Sequence, residues 1–439
     1  MFDKLFGWGK KKEHEPDIQL GRYSDNNKSV EKINRWADSE NFFKEKKYPE
    51  SQDAFFDYLR DDALNNVITE RRGEELHFRI YQGSKVVRGL FIREKMTAEV
   101  TLARMPKTSV PVMRRLLEQN FNLYYSRYAL DGERLCMRFD SDIDTTNPNK
   151  LYYGLKELAT KSDKQDDLLI QDFAHLQKED IEHLSELPEH EKEAKFQQLQ
   201  SLIKETLDLI GILDRDKLSG GIAYLLLTLG YRLDYLIAPE GKLLYELEKI
   251  IVVYYGKDEK SVQEKNQLMI EGYQKLMTKT REEVFHCLFR AKSTFSIVAP
   301  QQHKTIAESI YNATQNMIWY RDNKYPEIAR QIQEYGFSFC QYSYSLPRPL
   351  TELFRLFMQV NYPEYFKAMG FSEEYYERTN NKFRKDEIEE EIEYIINRWR
   401  PKYPKLDLNG SSLRYDNLIL FNQTFLVEIQ QMNFETSNY

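Results

Sequence analysis

The sequence predicts an α+β front domain followed by a long, mostly α-helical region, and three observations carry that prediction. Between Leu76 and Phe139 apolar residues alternate with polar ones, the two-residue period of strands. Before that stretch, from Val30 to Leu64, and after it, from Phe196 onward, the apolar spacing is helical. Asp131-Gly132 stands between two alternating runs, the strongest short hairpin signal a sequence carries.

The front elements follow in order. Ile33, Trp36, Phe42 and Phe43 fall on one helical stripe, and Pro49-Glu50 restarts a helix bearing Phe55, Phe56 and Leu59. Leu76, Phe78 and Ile80 then alternate with His77 and Arg79; Gly83-Ser84 turns the chain into Val86–Ile92; Met96, Ala98, Val100 and Leu102 alternate with Thr97, Glu99 and Thr101. The connections are too short for a crossover helix, so these three strands are antiparallel. Pro111 suits a first helical turn, with Val112, Met113, Leu116 and Leu117 along one face. Phe121, Leu123 and Tyr125 are expected to pair across Asp131-Gly132 with Leu135, Met137 and Phe139. Asn147-Pro148 then caps a helix that buries Leu151, Leu155 and Leu158. The order is α-β-β-β-α-β-β-α, an antiparallel sheet with helices on one face.

From Val110 to Leu169 the run LLEQNFNLYYSRYALDGERLCMRF, the helix start at Asn147-Pro148 and the acidic stretch SDKQDDLL resemble the YbjN-type proteins, which share the type III secretion chaperone-like fold. The resemblance covers about a third of the chain. It implies a small cytoplasmic domain, often dimeric, that binds other proteins, the secretion chaperones holding an extended segment of a client. It supplies no catalytic residue. A helical region larger than the domain itself departs from the family.

In the remainder, 171–195 reads as a charged helical linker ending near Pro188, and 196–439 as a helical domain, either a bundle or helical-repeat-like. Helices are expected over 220–238, 241–255, 262–291, 302–321, 326–340, 349–360 and 384–399, with NLILFNQTFLVEI forming a short C-terminal hairpin around Asn422-Gln423. Tyr325-Pro326-Glu327 and Tyr362-Pro363-Glu364 open two helices and Tyr403-Pro404 follows the last, a spacing within the range of helix-pair repeats. Tyr48-Pro49-Glu50 repeats the tripeptide in the front domain, which favours a plain helix-start device. Residues 1–28 read as a flexible tail and 29–170 as the α+β domain.

Composition narrows the function classes. The 439 residues carry a net charge of −7, with no long basic run beyond Lys10–Lys12, so no nucleic-acid partner is expected. Cys136, Cys287 and Cys340 are odd in number and far apart, which reads as free thiols in a reducing, cytoplasmic setting. GGIAYLLLTLGYRLDYLIA is interrupted by Arg232 and Asp234 and reads as a buried helix, not a membrane span. Phe2, Leu5, Phe6 and Trp8 before Lys10–Lys12 form the one segment suited to peripheral membrane contact.

No catalytic, cofactor-binding or metal-ligating residue is assigned. His175, Glu179 and His183 would share a helix face, but their neighbours are those of a solvated surface. His286 and Cys287 point apart on a helix, and pairing Cys287 with His303 needs long-range packing. Leu218-Ser-Gly-Gly221 lacks the Lys-Ser/Thr of a phosphate loop. The expectation is a non-catalytic, protein-binding adaptor or chaperone-like regulator, with a protein partner or client or a second copy of itself. An enzyme with its site in the helical region is the alternative from another class. The candidate contact residues are Thr97, Glu99 and Thr101, facing away from the core, and Tyr124, Tyr125 and Tyr128 near the hairpin. Ordinary strand packing is the plain account of both sets.

Overall fold

In the computed structural model, which describes residues 15–25 and 28–436, the alternating stretch forms one six-stranded antiparallel sheet. The front part runs α1 (Val30–Lys44), α2 (Tyr48–Leu59), β1 (Val67–Arg72), β2 (Glu75–Gln82), β3 (Lys85–Ile92), β4 (Lys95–Arg104), α3 (Val110–Asn120), β5 (Arg127–Asp131), β6 (Arg134–Asp142) and α4 (Pro148–Asp172). The strand order is β1-β2-β3-β4-β6-β5, so β1 and β5 are the two edges.

Alternation sorts the faces. Phe78, Gly89, Ala98 and Phe139 stand opposite one another across four strands, and α4 crosses this face. A Cβ on Gly89 would come within 2.0 Å of the Phe78 ring, so the glycine makes room for an aromatic on the next strand. The other face carries Ile68, Arg79, Arg88, Glu99, Arg138 and Arg127 as one cross-strand row. Gly132, at φ 59°, closes the β5–β6 hairpin in the left-handed region that Asp-Gly turns require.

The helical part comprises α5 (Glu189–Gly211), α6 (Ser219–Ile237), α7 (Gly241–Tyr255), α8 (Val262–Met277), α9 (Arg281–Phe285), α10 (His303–Asp322), α11 (Pro326–Ser343), α12 (Arg348–Asn361), α13 (Pro363–Ala368), α14 (Lys385–Trp399) and α15 (Leu418–Gln431). One apolar core runs from Leu187 to Met432. The last helix packs back on α10 and α11, and α11 also packs on α6 and α12, which is a bundle and not a stack of sequential neighbours. Tyr-Pro-Glu opens α2, α11 and α13, and Tyr403-Pro404 opens none.

Several expectations are corrected. A strand not expected, β1, precedes the three that were. Residues 121–126 are a loop, and the strand before Asp131-Gly132 begins at Arg127. The 171–195 segment is no continuous helix: α4 ends at Asp172, and 173–188 crosses the sheet's end, with backbone bonds between Arg104 and Gln177 in both directions at 2.9 Å. The region 262–291 breaks at Met277, where Thr280 and Glu283 form a capping box for α9. The C-terminal apolar run is helix α15, not a hairpin, with Asn422 buried against Asn361 at 3.1 and 3.0 Å.

Of the stretch read as a flexible tail, residues 15–25 are an ordered strap on the helical part. Gly21 N–H reaches Tyr235 O at 2.8 Å, Arg22 pairs with Asp234, and Glu15 with Arg355. Phe2–Lys12 lies outside the described residues. No helix among the described residues is long and apolar enough to cross a membrane.

Candidate functional site

The sheet's β5 edge and α3 beside it carry the most exposed apolar side chains of the front domain, Phe121 and Tyr124. Ser109 precedes α3 and Pro111 occupies its first turn, so the helix starts where the sequence places it. Val112 and Leu116 are buried, which turns Val110, Leu117 and Phe121, spaced by seven and four residues, outward. Leu117 is 62% exposed, Phe121 93% and Tyr124 92%. An aromatic so exposed in a loop would ordinarily be loosely held. Here the Glu157 carboxylate of α4 accepts the N–H groups of Tyr124 (2.8 Å), Tyr125 (2.9 Å) and Ser126 (2.8 Å) and the Ser126 hydroxyl (2.8 Å). Burial pushes the Glu157 pKa up, but these four donors outweigh it and hold the carboxyl below its ordinary value.

Strand β5 has β6 on one side and, among the described residues, no strand on the other. Asn120 Oδ1 takes the Tyr128 N–H at 2.9 Å, and Leu130 is exposed beside it. The three sequence-predicted tyrosines therefore differ. Tyr124 is fully presented. Tyr125 is half-presented, its ring edge-on to Phe139 at 6.2 Å. Tyr128 packs on the core, where burial raises its hydroxyl pKa to about 12.

Thr97, Glu99 and Thr101 lie on the opposite face of the sheet, apart from these tyrosines. Thr97 is exposed, Glu99 is clasped by Arg134 and Arg138, and Thr101 is buried beside the register shift between Thr101 and Ala103. Four further ion pairs hold arginines of that face: Arg88 with Asp180, Arg127 with Asp140, Arg104 with Glu133 and Arg134 with Asp131.

Sequence reasoning missed Phe121 as a surface residue and Glu157 altogether. It also missed a cleft where the two parts of the chain meet, lined by Gly21 and Arg22 of the strap, Gly83 of the β2–β3 turn, Asp163 of α4, and Asp234 and Glu240 of the helical part. Asp163, Asp166 and Asp167 sit at helical spacing i, i+3, i+4, which was the one signal available. Asp166 pairs with Lys85 at 2.9 Å, and both are buried. Burial, with Asp166 nearby, pushes the Asp163 pKa up to about 8; burial and Asp166 likewise take Asp167 to about 7.

His183, a candidate metal ligand, contacts Gly83 O at 3.2 Å, and His303, the candidate partner of Cys287, contacts Ile429 O at 2.9 Å beside the Phe434 ring. No group of three or more metal-ligating side chains forms among the described residues. Burial pushes the Cys287 thiol up, away from nucleophilic reactivity. No family model matches the chain, and no curated protein matches it.

Proposed function

We propose that this chain is a non-catalytic, chaperone-like protein-binding adaptor of the cytoplasm, and that it docks its partner on the β5–α3 edge. The observation that carries the reading is the clamp of Glu157 on residues 124–126, which holds Tyr124 outward beside Phe121 and Leu117. Rigid exposed aromatics bind at low entropic cost and are the usual anchors of protein interfaces. A free strand edge beside them offers backbone groups to an extended segment. The ion pairs that hold Arg88, Arg127 and Arg104 on the sheet's outer face favour a protein partner over nucleic acid. Three free cysteines fit a reducing compartment.

A second copy is one partner this edge fits. Read antiparallel against itself about Ala129, the strand Arg127-Tyr-Ala-Leu-Asp131 sets Arg127 opposite Asp131 and Tyr128 opposite Leu130. Asn120 must then release the Tyr128 N–H. Light scattering on the full chain, beside pull-down with wild type and with a Phe121→Ser/Tyr124→Ser double variant, tests the reading. Self-association or partner retention that the double variant loses, with its melting temperature unchanged, supports it. A strictly monomeric wild type that retains no more protein than the variant overturns it.

A further inference from the structure

The loop joining α14 to α15 is anchored on both sides of an Asn-Gly pair. Leu406, Leu408 and Leu413 are buried, and among them stands Asn409-Gly410, the one Asn-Gly of the sequence. Asn409 is exposed and precedes a single 3₁₀ turn, Gly410–Ser412. Its backbone is held at both polar groups. The N–H donates to Glu428 Oε2 of α15 at 2.9 Å, and the carbonyl accepts the Ser412 hydroxyl at 2.7 Å. Its side chain is held at the oxygen only: Oδ1 accepts the Ser411 N–H at 3.2 Å and the Ser411 hydroxyl at 2.7 Å. Asn409 Nδ2 and the Gly410 N–H donate to no group among the described residues.

These contacts have a chemical consequence. A side-chain oxygen that reaches the N–H two residues on folds its Cγ over the peptide between them, here the Asn409–Gly410 peptide. Both Ser411 donors sit on the oxygen that takes negative charge when the Gly410 nitrogen attacks Cγ, the arrangement of an oxyanion hole. The two nitrogens that must be free, the one that attacks and the one that departs, are the two without acceptors. Glycine adds no side chain to obstruct the approach.

We infer that Asn409-Gly410 is a self-modification site, at which Asn409 loses ammonia and becomes aspartate or isoaspartate. The inference is independent of the docking edge. A solvent base takes the Gly410 N–H proton, and the nitrogen forms a bond to Cγ. Ser411 holds the resulting oxyanion on Oδ1. Its collapse breaks the Cγ–Nδ2 bond, Nδ2 takes up a proton from water and leaves as ammonia, and a five-membered succinimide remains. Water then opens the ring at either carbonyl. Water is the only co-reactant, and nothing is oxidised or reduced. Both products set a new carboxylate near Glu428, and isoaspartate lengthens the backbone between the buried Leu408 and Leu413, so the loop loosens from α15.

The test is incubation of the full chain at mildly alkaline and mildly acidic pH, followed by peptide mapping that separates aspartyl from isoaspartyl products. The expected result is conversion of Asn409 ahead of every other asparagine, faster at the alkaline pH, with ammonia released. Gly410→Ala is tolerated by the fold, since its Cβ would meet nothing nearer than Glu389 Cγ at 3.5 Å, and slows conversion about tenfold or more. Ser411→Ala slows it about threefold or more in the folded chain and leaves it unchanged in the urea-unfolded chain. Ser411→Thr keeps both donors and keeps the rate, whatever the alanine variant does to stability. Conversion of another asparagine before Asn409, or a rate independent of pH, overturns the assignment. Ser411→Ala as fast as wild type when folded, equal slowing in urea, or Ser411→Thr as slow as alanine overturns it too.

Discussion

Replacing Glu157 by alanine removes the clamp under the docking loop while leaving every proposed contact residue in place. Its two oxygens accept four hydrogen bonds, three of them on Oε1. Bonds to a charged acceptor contribute about 1.5–3 kcal/mol each when the donor is buried, and much less when water can replace the acceptor. Tyr124 is nearly fully exposed and Tyr125 partly so, so their N–H groups regain water. Ser126 is buried, and its N–H and hydroxyl supply most of the loss. The sum is about 2–3 kcal/mol for Glu157→Ala. Glu157→Gln keeps one oxygen for Ser126 and Tyr125 and turns an N–H donor toward Tyr124, for a loss of about 1 kcal/mol. The folded-state pKa is depressed, so this stabilisation is present above the unfolded carboxyl pKa and is lost as pH falls through the folded one. Urea midpoints for the three proteins should separate in that order near neutral pH and draw together as pH falls through the depressed folded pKa of Glu157. Amide exchange at residues 124–126 should quicken in the alanine variant, and docking should weaken although Phe121 and Tyr124 remain. Equal midpoints at neutral pH, or unchanged exchange at 124–126, would refute the clamp.

Gly83→Ala should cost about 2–4 kcal/mol, because φ is +54° there and the new Cβ would lie 2.0 Å from Asp163 Oδ1; thermal melting measures it, and Gly73→Ala, with open space around it, serves as the φ-only control. Asp163 and Asp167 have folded pKa values above their unfolded ones, so the folded state holds extra protons and stability falls by a few kcal/mol as pH rises from about 4 toward 8. Asp163→Asn should flatten that slope in urea titrations between about pH 5 and pH 8. In the helical core Arg232 Nε and Nη2 reach Glu334 at 2.7 and 2.9 Å, and Tyr362 Oη donates to the same carboxylate at 2.5 Å. Glu334→Ala alone should cost about 3–5 kcal/mol by stranding the guanidinium, and Arg232→Met/Glu334→Met clearly less than the sum of its singles, read by a double-mutant cycle in urea.

Period carried the legible part of the fold. Leu76, Phe78 and Ile80 or Met96, Ala98 and Val100 can sit on a half-buried strand in one way only, and Asp131-Gly132 marked the place of the hairpin turn. Strand β1 was invisible because only Val67 and Ile68 are apolar before Thr-Glu-Arg-Arg; an edge strand needs no second buried face. The break before α9 was legible in the capping pattern Thr280-Arg-Glu-Glu283 and was overridden by the helical spacing on both sides. Asn422-Gln423 imitated a turn, because a buried asparagine satisfied by Asn361 cannot be told from an exposed one without knowing its partner. In the candidate site, the tyrosines could be named from their place near the hairpin. Their presentation could not, since Glu157 acts from another element.

The strap and the segment 289–297 show why the two parts resist separation. Phe295, from the helical part, is buried in the front domain's core, its ring against Tyr152 at 5.5 Å. Gln82 Oε1, at the end of β2, accepts the N–H groups of Thr294 and Phe295 at 3.1 and 2.9 Å, and the Thr294 hydroxyl donates to Tyr81 O at 2.9 Å. Burying a phenylalanine contributes about 1.5–3 kcal/mol, and cutting it away also strands a buried glutamine oxygen. Lys292 O accepts the Gly83 N–H in the same turn that receives Asp163. A boundary drawn near residue 170 or 195 thus passes through one core and one polar junction. The acidic cleft is where that junction leaves space, and partial burial between the two parts raises the pKa of its carboxyls, Asp163 and Glu240 among them.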